Sequence, residues 1–265
     1  TAHRNEEEAE EETKKMLAVY QDFVENDLAM PVITGQKTEK EKFAGALRTY
    51  SIEALMSDGK ALQAGTSHNL GTHFAKVFDI TYLDSDGELK YVWQTSWGVS
   101  TRLIGALIMV HGDDRGLIIP PKVAPIQAVV VPIISKKFRT EVLAAATQIA
   151  GDLARQGVRI YLDDREEYSP GWKYNQWEMK GVPVRLELGP RDLEKEQVIL
   201  VHRHDGFREA ISITELPDKL PSLLESIQNA LYERALAFLQ RNTHRCADYH
   251  EFKETIEKER GLFLS

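Results

Sequence analysis

The chain has 265 residues, of which 42% are hydrophobic and 28% are charged, and this composition excludes disordered, collagen-like and disulfide-stapled proteins. Its 33 basic and 41 acidic residues give a net charge of −8, which argues against nonspecific coating of nucleic acid, so no DNA partner is expected. No apolar run approaches the ~18 residues of a membrane helix, and no membrane partner is expected. The single cysteine, Cys246, cannot form an internal disulfide, which suits the reducing cytoplasm.

The first part of the chain predicts a helix, an antiparallel sheet and a second helix. Asn5 can cap a helix whose first turns are rich in glutamate. From Pro31 to Trp97, short β-rich runs alternate with turns rich in glycine and aspartate, and Thr101–Val110 has helical spacing. The predicted strands are Pro31–Thr34, Tyr50–Leu55, Ala61–Ala64, Phe78–Leu83 and Leu89–Gln94.

Prolines at 120, 121 and 125 mark a boundary, beyond which the pattern becomes that of an α/β domain. Ile126–Ile134 is a continuous apolar run, as in a strand covered on both faces, and a helix then leads to a strand at Val158–Leu162, which makes a βαβ unit. Further predicted elements are a helix at Trp172–Met179, strands at Val182–Leu188 and Val198–His202, and helices from Leu216 onward. We expect a mixed α/β fold with domains at 1–121, 122–213 and 214–265.

Two stretches in the first domain suit ligand binding. Gln63–Gly71 brings small residues, hydroxyl groups and His68 into a predicted strand end and turn, where backbone can approach a ligand. Ser96–Arg102 places an arginine in the first turn of a helix, and free N–H groups with a guanidinium fork suit a polyphosphate. The alternative for the first stretch is a polar hairpin with a structural histidine. The alternative for the second is an Arg102 that pairs with a carboxylate.

A third stretch, Asp163–Asp192, interleaves aromatic and basic residues, a combination that suits unstacked RNA bases. Residues 159–192 contain six basic and seven acidic side chains, so binding there would read base edges rather than grip the backbone. Motifs for phosphate loops, serine nucleophiles and zinc peptidases are absent from the sequence. His244, Cys246 and His250 are too few for a convincing metal site, and no metal ligand is assigned.

Seven stretches, in order and at similar spacing, resemble the prolyl-tRNA synthetases, class II aminoacyl-tRNA synthetases, of the archaeal and eukaryote-like type. They are Lys37–Gly45, Gly65–His68, Ser96–Arg102, His111–Pro121, Ser169–Lys173, Lys180–Pro183 and Leu188–Asp192. The resemblance implies part of a class II antiparallel catalytic sheet, an α/β anticodon-binding domain with a βαβ core, and the helical start of a C-terminal domain. It also implies that the family's N-terminal half precedes Thr1, and that any zinc belongs to a module beyond Ser265.

The resemblance further implies a cytoplasmic, homodimeric ligase that joins proline to tRNA(Pro) through a prolyl-adenylate, using ATP and Mg²⁺. Arg102 is the implied catalytic residue. The implied ATP-binding residues are Gln63, Thr66, Ser100 and Arg102, and the implied proline pocket comprises Phe43, His68, Ser96, Trp97 and Gly98, the last three through their backbone. The implied anticodon-binding residues are Tyr174, Glu178, Arg185, Arg191 and Asp192. A threonyl or glycyl enzyme, or a non-catalytic tRNA-binding paralogue, are the alternatives.

Overall fold

The computed structural model describes residues 1–264, which divide into two compact units. The first unit comprises residues 1–110 together with those from Leu236 on, and the second comprises residues 111–235. The domain limits expected at residues 121 and 213 stay predictions. Within the described residues, every helix is too short or too polar to cross a bilayer.

The first unit is built on a five-stranded antiparallel sheet in the order β1-β7-β4-β3-β2, which confirms the antiparallel prediction, and β5 and β6 form a separate hairpin. Its strands are β1 (Ala2–His3), β2 (Val32–Gln36), β3 (Arg48–Leu55), β4 (Ala61–Gly71), β5 (Thr81–Leu83), β6 (Leu89–Tyr91) and β7 (Trp93–Val99). Its helices are α1 (Glu6–Asn26), α2 (His73–Val77) and α3 (Arg102–His111).

Helix α1 covers one face of this sheet. The Asn5 side chain accepts a hydrogen bond from the Glu8 N–H at 2.9 Å, which confirms the predicted cap. Deeper along the helix, the Ser67 hydroxyl of β4 donates to the Thr13 carbonyl at 2.8 Å. Ser67 therefore marks the face of β4 that packs on α1, and residues that alternate with it point to the opposite face.

Three predicted elements differ from the structure. The single strand expected at Leu89–Gln94 is divided between β6, which pairs with β5, and β7, which begins at Trp93 and pairs with β4. Strand β4 continues through Gly71, where a turn was expected after Ala64, because β3 and β7 pair with it on both sides. The strand expected at Phe78–Leu83 begins only at Thr81. Phe78 instead ends helix α2, since its N–H donates to the Phe74 carbonyl at 2.9 Å.

Glu10 of α1 ties the helix to the sheet. Its carboxylate accepts hydrogen bonds from the Tyr50 hydroxyl at 2.5 Å, the Asn69 amide at 2.9 Å and Arg48 Nε at 2.9 Å. Burial alone would raise the pKa of Glu10, but these three donors outweigh it and lower the pKa to about 2. The ionised carboxylate is therefore part of the packing between helix and sheet.

Replacing Glu10 by glutamine should flatten the acid dependence of stability. Glu10 has a depressed folded-state pKa, so its contribution is present above the ordinary value of 4.5 and is lost as pH falls toward 2. We expect the wild-type chain to lose about 1–2 kcal/mol more than Glu10→Gln between pH 6 and pH 3, measured by urea unfolding. Glu7→Gln, at an exposed position of the same helix, is the control. Parallel pH profiles for Glu10→Gln and the wild type would contradict this account.

The second unit is a mixed sheet in the order β12-β11-β10-β8-β9, with helices on its faces. Strand β8 is parallel to both β9 and β10, which confirms the predicted βαβ core, and β11 and β12 add antiparallel strands. Its elements are β8 (Ala128–Pro132), α4 (Arg139–Arg155), β9 (Ile160–Leu162), α5 (Pro170–Met179), β10 (Val184–Leu188), α6 (Pro190–Glu194), β11 (Gln197–His202), β12 (Arg208–Ser212) and the part of α7 (Leu216–Arg241) that precedes Leu236. The rest of α7 belongs to the first unit, as do β13 (Thr243–Arg245), α8 (Tyr249–Lys258) and β14 (Leu262–Leu264), with β13 parallel to β14.

A buried carboxylate anchors helix α5 to the end of β9. Asp163 is fully buried and accepts two hydrogen bonds of 2.8 Å from Arg165 and one of 2.8 Å from the Trp177 indole. Lys173, only 2% exposed, donates to the Asp163 carbonyl at 2.9 Å, and its Nζ lies 3.7 Å from the carboxylate. Ser169 caps α5. These contacts set the position of α5, which carries two of the predicted RNA-binding residues.

Candidate nucleotide and RNA sites

The face of the first sheet opposite α1 carries a row of polar side chains. Cross-strand pairing places Thr49 of β3, His68 of β4 and Ser96 of β7 side by side, and Thr66 pairs with Gly98 in the next rung. A hydrogen bond of 2.9 Å joins His68 Nδ1 to the Thr49 hydroxyl. The structure therefore brings the predicted residues of β4 and β7 together on one surface.

Phe43 stands beside His68 at one end of this face. Its ring centroid lies 5.4 Å from that of His68 and 6.4 Å from that of Phe74, and its N–H donates to the Thr49 hydroxyl at 3.1 Å. The Phe43 side chain is 51% exposed, so one side of its ring is free to contact a ligand. Burial lowers the pKa of His68, which is therefore neutral at pH 7.

Trp97 has a different orientation from its neighbours on β7. It pairs with Ser67, whose hydroxyl contacts α1, so the indole lies on the α1 face of the sheet and not beside His68. Only the backbone of Trp97 can serve the predicted pocket. Strand β1 pairs with β7 at residues 93 and 94 alone, so within the described chain the backbone edge at residues 96–98 has no strand partner.

Arg102 begins helix α3 next to the bulged part of β4. Its guanidinium donates to the Gln63 carbonyl at 3.3 Å, and its N–H donates to the Ser100 hydroxyl at 3.3 Å. The arginine is exposed and contacts a backbone carbonyl where a carboxylate partner was the alternative. Its charge and the free N–H groups of a ten-residue helix therefore share one surface.

Sequence reasoning did not assign a role to two charged residues on this face. Glu53 pairs across the strands with Gln63, and its carboxylate accepts hydrogen bonds from Lys37 Nζ at 2.6 Å and the Ser51 hydroxyl at 3.0 Å. The alternation of polar Thr49, Ser51 and Glu53 along β3 was the available signal for a polar face.

In the second unit, Tyr174 of α5 and Arg185 of β10 lie against each other. The Arg185 guanidinium is 4.4 Å from the Tyr174 ring centroid and donates to Glu187 at 3.0 Å. Arg208 of β12 donates to the other oxygen of Glu187 at 2.7 Å. Burial and the negative charge of Glu187 raise the pKa of Tyr174 to about 12. Glu187 and Arg208 were not singled out from the sequence.

Glu178, at the end of α5, is held by the segment that precedes β8. Arg115 Nη1 lies 2.8 Å from the Glu178 carboxylate. Arg203 donates to the Glu178 carbonyl at 2.8 Å, and its two Nη groups donate to the Asp113 carboxylate at 2.9 and 2.6 Å. Gly116 allows this approach, because a Cβ there would lie 2.6 Å from the Met179 backbone. The hydrogen bonds from Arg203 lower the pKa of Asp113 to about 2.

These side chains surround a small cavity of about 170 Å³. It is lined by Arg115, Trp177, Glu178, Val182, Arg185, Val201, His202, Arg203, Gly206 and Arg208. Arg115, Arg185 and Arg208 offer guanidinium donors, and Glu178 a carboxylate acceptor, to a planar polar ligand, whereas Arg203 is engaged by Asp113 and the Glu178 carbonyl. Two predicted residues, Arg191 and Asp192, lie on α6 beyond the far end of β10, and Asp192 accepts a hydrogen bond from the Gly189 N–H at 2.9 Å.

Three potential metal ligands also meet near this cavity, at His202, His204 and Asp205, with ligand atoms within 4.8 Å of one another. The two imidazole rings are nearly parallel, at 15°, with centroids 5.6 Å apart. Imidazole lone pairs lie in the ring plane, so stacked rings do not direct them at one ion, and we assign no metal to this group.

The second unit corresponds to a known class of domain. Residues 127–223 match the anticodon binding domain family. An antiparallel sheet followed in the same chain by such a domain is the architecture of a class II aminoacyl-tRNA synthetase.

The chain is homologous to curated proteins named proline–tRNA ligase. The relative from Natranaerobius thermophilus is 63% identical over 262 residues, which cover 99% of this chain and 54% of the relative. The relative from Symbiobacterium thermophilum is 55% identical over 244 residues, which cover 92% of this chain and 50% of the relative. The relative from Alkaliphilus oremlandii is 53% identical over 262 residues, which cover 99% of this chain and 54% of the relative. The chain spans about half the length of the curated relatives it matches.

Proposed function

We propose that the first unit takes part in ATP-dependent activation of proline as prolyl-adenylate. The observation that carries this proposal is the surface shared by Arg102 at the start of α3, the Gln63 carbonyl and the Ser100 hydroxyl. The guanidinium suits the triphosphate of ATP, and Gln63 and Thr66 suit its adenosine. No covalent enzyme nucleophile is needed, because the proline carboxylate itself attacks the α-phosphate and expels pyrophosphate.

The proline pocket would lie between the Phe43 ring and the polar row around His68, with the backbone edge at residues 96–98 as hydrogen-bonding partner. A neutral imidazole beside an exposed aromatic ring suits a small ring substrate. Mg²⁺ would arrive with ATP, since the Glu53 carboxylate on this face is already engaged by Lys37 and Ser51. The ion would supply positive charge to the phosphates.

The second unit would bind the anticodon of tRNA(Pro), using Glu178 and Arg185 of the cavity, Tyr174 beside Arg185, and Arg191 and Asp192 on α6. Arginine forks match guanine O6 and N7, and carboxylates match its N1–H and N2 amino edge. We also propose that the complete enzyme is a homodimer and acts in the cytoplasm, as the family resemblance implies.

Amino-acid-dependent pyrophosphate exchange by a full-length synthetase carrying this chain tests the substrate. We expect exchange with proline and none with threonine or glycine; the reverse would favour the threonyl or glycyl alternative. Absence of both exchange and ATP binding would favour a non-catalytic tRNA-binding paralogue.

In the same assay, His68→Ala should raise the KM for proline about tenfold, since it removes a pocket wall and a hydrogen-bonding group worth about 1.4 kcal/mol. The KM for ATP should stay within twofold. His250→Ala, at an exposed site on α8, is the control. An unchanged KM for proline would remove His68 from the pocket.

A further inference from the structure

Glu187 is a buried carboxylate that pairs with two arginines and also interacts with the Tyr174 side chain beside them. It is 3% exposed on β10, and each of its oxygens has its own guanidinium. Arg185 bonds Oε1 through Nε and lies 3.0 Å away through one Nη, and Arg208 bonds Oε2 through one Nη. Each arginine therefore keeps further N–H donors for a ligand.

Sheet register sets this arrangement. Arg185 and Glu187 are two residues apart on one strand, so they share a face. Arg185 pairs with Val201 of β11, which pairs with Arg208 of β12, so the second arginine reaches the same face from two strands away. Tyr174 closes the other side of Arg185, with its ring 4.4 Å from the guanidinium. The Glu187 carboxylate and the Tyr174 ring thus fix the orientation of the Arg185 guanidinium plane.

We propose that Glu187 is a positioning residue for RNA recognition and that Arg208 is a second base-contacting arginine beside Arg185; this inference rests on the proposed RNA-binding function of the second unit. A planar arginine fork is the usual partner of guanine O6 and N7. Holding both forks before RNA arrives reduces the rotamer freedom lost on binding. Glu187 itself would not touch RNA.

Substitution by glutamine separates positioning from charge. Glu187→Gln keeps the shape of the side chain and removes the negative charge between Arg185 and Arg208. If Glu187 only neutralised the arginines, the variant would bind every RNA more tightly. If it positions them, the variant loses preference for guanine although the site has become more positive.

The test is fluorescence anisotropy of the 265-residue chain with two RNA hairpins, one with two adjacent guanines in its loop and one with adenines there. We expect the wild type to prefer the guanine hairpin by about tenfold or more, since one bidentate pair is worth about 1–3 kcal/mol of discrimination. Glu187→Gln should reduce that preference to about twofold, with unchanged or tighter binding of the adenine hairpin.

Glu166→Gln is the matched control, because it makes the same charge change on a carboxylate paired with Arg139. A Glu187→Gln chain that keeps the full guanine preference overturns the positioning role while leaving the proposed function intact. A wild type without guanine preference overturns both.

If the Glu187→Gln variant is not folded at the temperature of the binding assay, Arg208→Lys provides a second test. The Arg208 side chain is 55% exposed, so this variant should fold, keep its charge and lose the fork. We expect at least a threefold loss of guanine preference. Wild-type preference in Arg208→Lys overturns the role of the second arginine.

Discussion

Replacing Arg102 by alanine in a full-length synthetase carrying this chain should lower proline-dependent pyrophosphate exchange at least 100-fold. The guanidinium is exposed at the first residue of α3, is oriented by the Gln63 carbonyl, and pairs with no carboxylate within residues 1–264. A preorganised donor aimed at developing phosphate charge typically contributes about 3 kcal/mol to the transition state. The loss should appear in kcat more than in the KM for ATP.

Two further variants serve as controls for the effect of Arg102→Ala. Arg102→Lys keeps the charge but not the planar fork, so its rate should fall between those of the wild type and Arg102→Ala. Arg155→Ala removes an exposed arginine of α4 that pairs with Asp152, and its rate should match the wild type. Near-normal exchange by Arg102→Ala would remove this residue from the catalytic site.

Replacing Asp163 by asparagine should lower the free energy of unfolding of the second unit by about 3 kcal/mol. The change leaves Lys173, 2% exposed, without its buried counterion and weakens the acceptor of the Trp177 indole. Urea unfolding followed by tryptophan fluorescence measures the loss. Because α5 also carries Tyr174 and Glu178, RNA binding should weaken in the same variant.

The double variant Asp163→Asn/Lys173→Met identifies the cause. If the penalty comes from an unpaired buried charge, removing that charge should recover about half of the loss or more. Glu166→Gln breaks a pair in which both side chains are about half exposed, and its effect on the free energy of unfolding should be much smaller than that of Asp163→Asn. Equal losses for Asp163→Asn and Glu166→Gln would contradict the account.

The candidate sites were predicted from the sequence to different extents. Motif residues such as Gln63, His68 and Arg102 could be chosen because residue types and short spacings carry chemistry. The direction of a side chain could not, since it depends on register. Strand β4 reads as ending near Ala64, yet it continues through a bulge at Ile52/Glu53 of its partner, and only the pairing shows that Thr66 and His68 share a face.

The sequence by itself determined the local elements and the resemblance to proline–tRNA ligases. The Asn5 cap, the buried run at Ile126–Ile134 and the βαβ unit follow from side-chain chemistry and periodicity over a few residues, and the ordered motifs carry the resemblance. Only the tertiary structure decided which charges meet. Glu187 and Arg208 are 21 residues apart, on strands separated by β11, and Asp113 and Arg203 are 90 apart. Pairing and packing bring such groups together, so no local pattern encodes them. The orientation of Trp97 also depends on strand pairing. Its backbone borders the predicted site, but the register directs its side chain to the opposite face of the sheet.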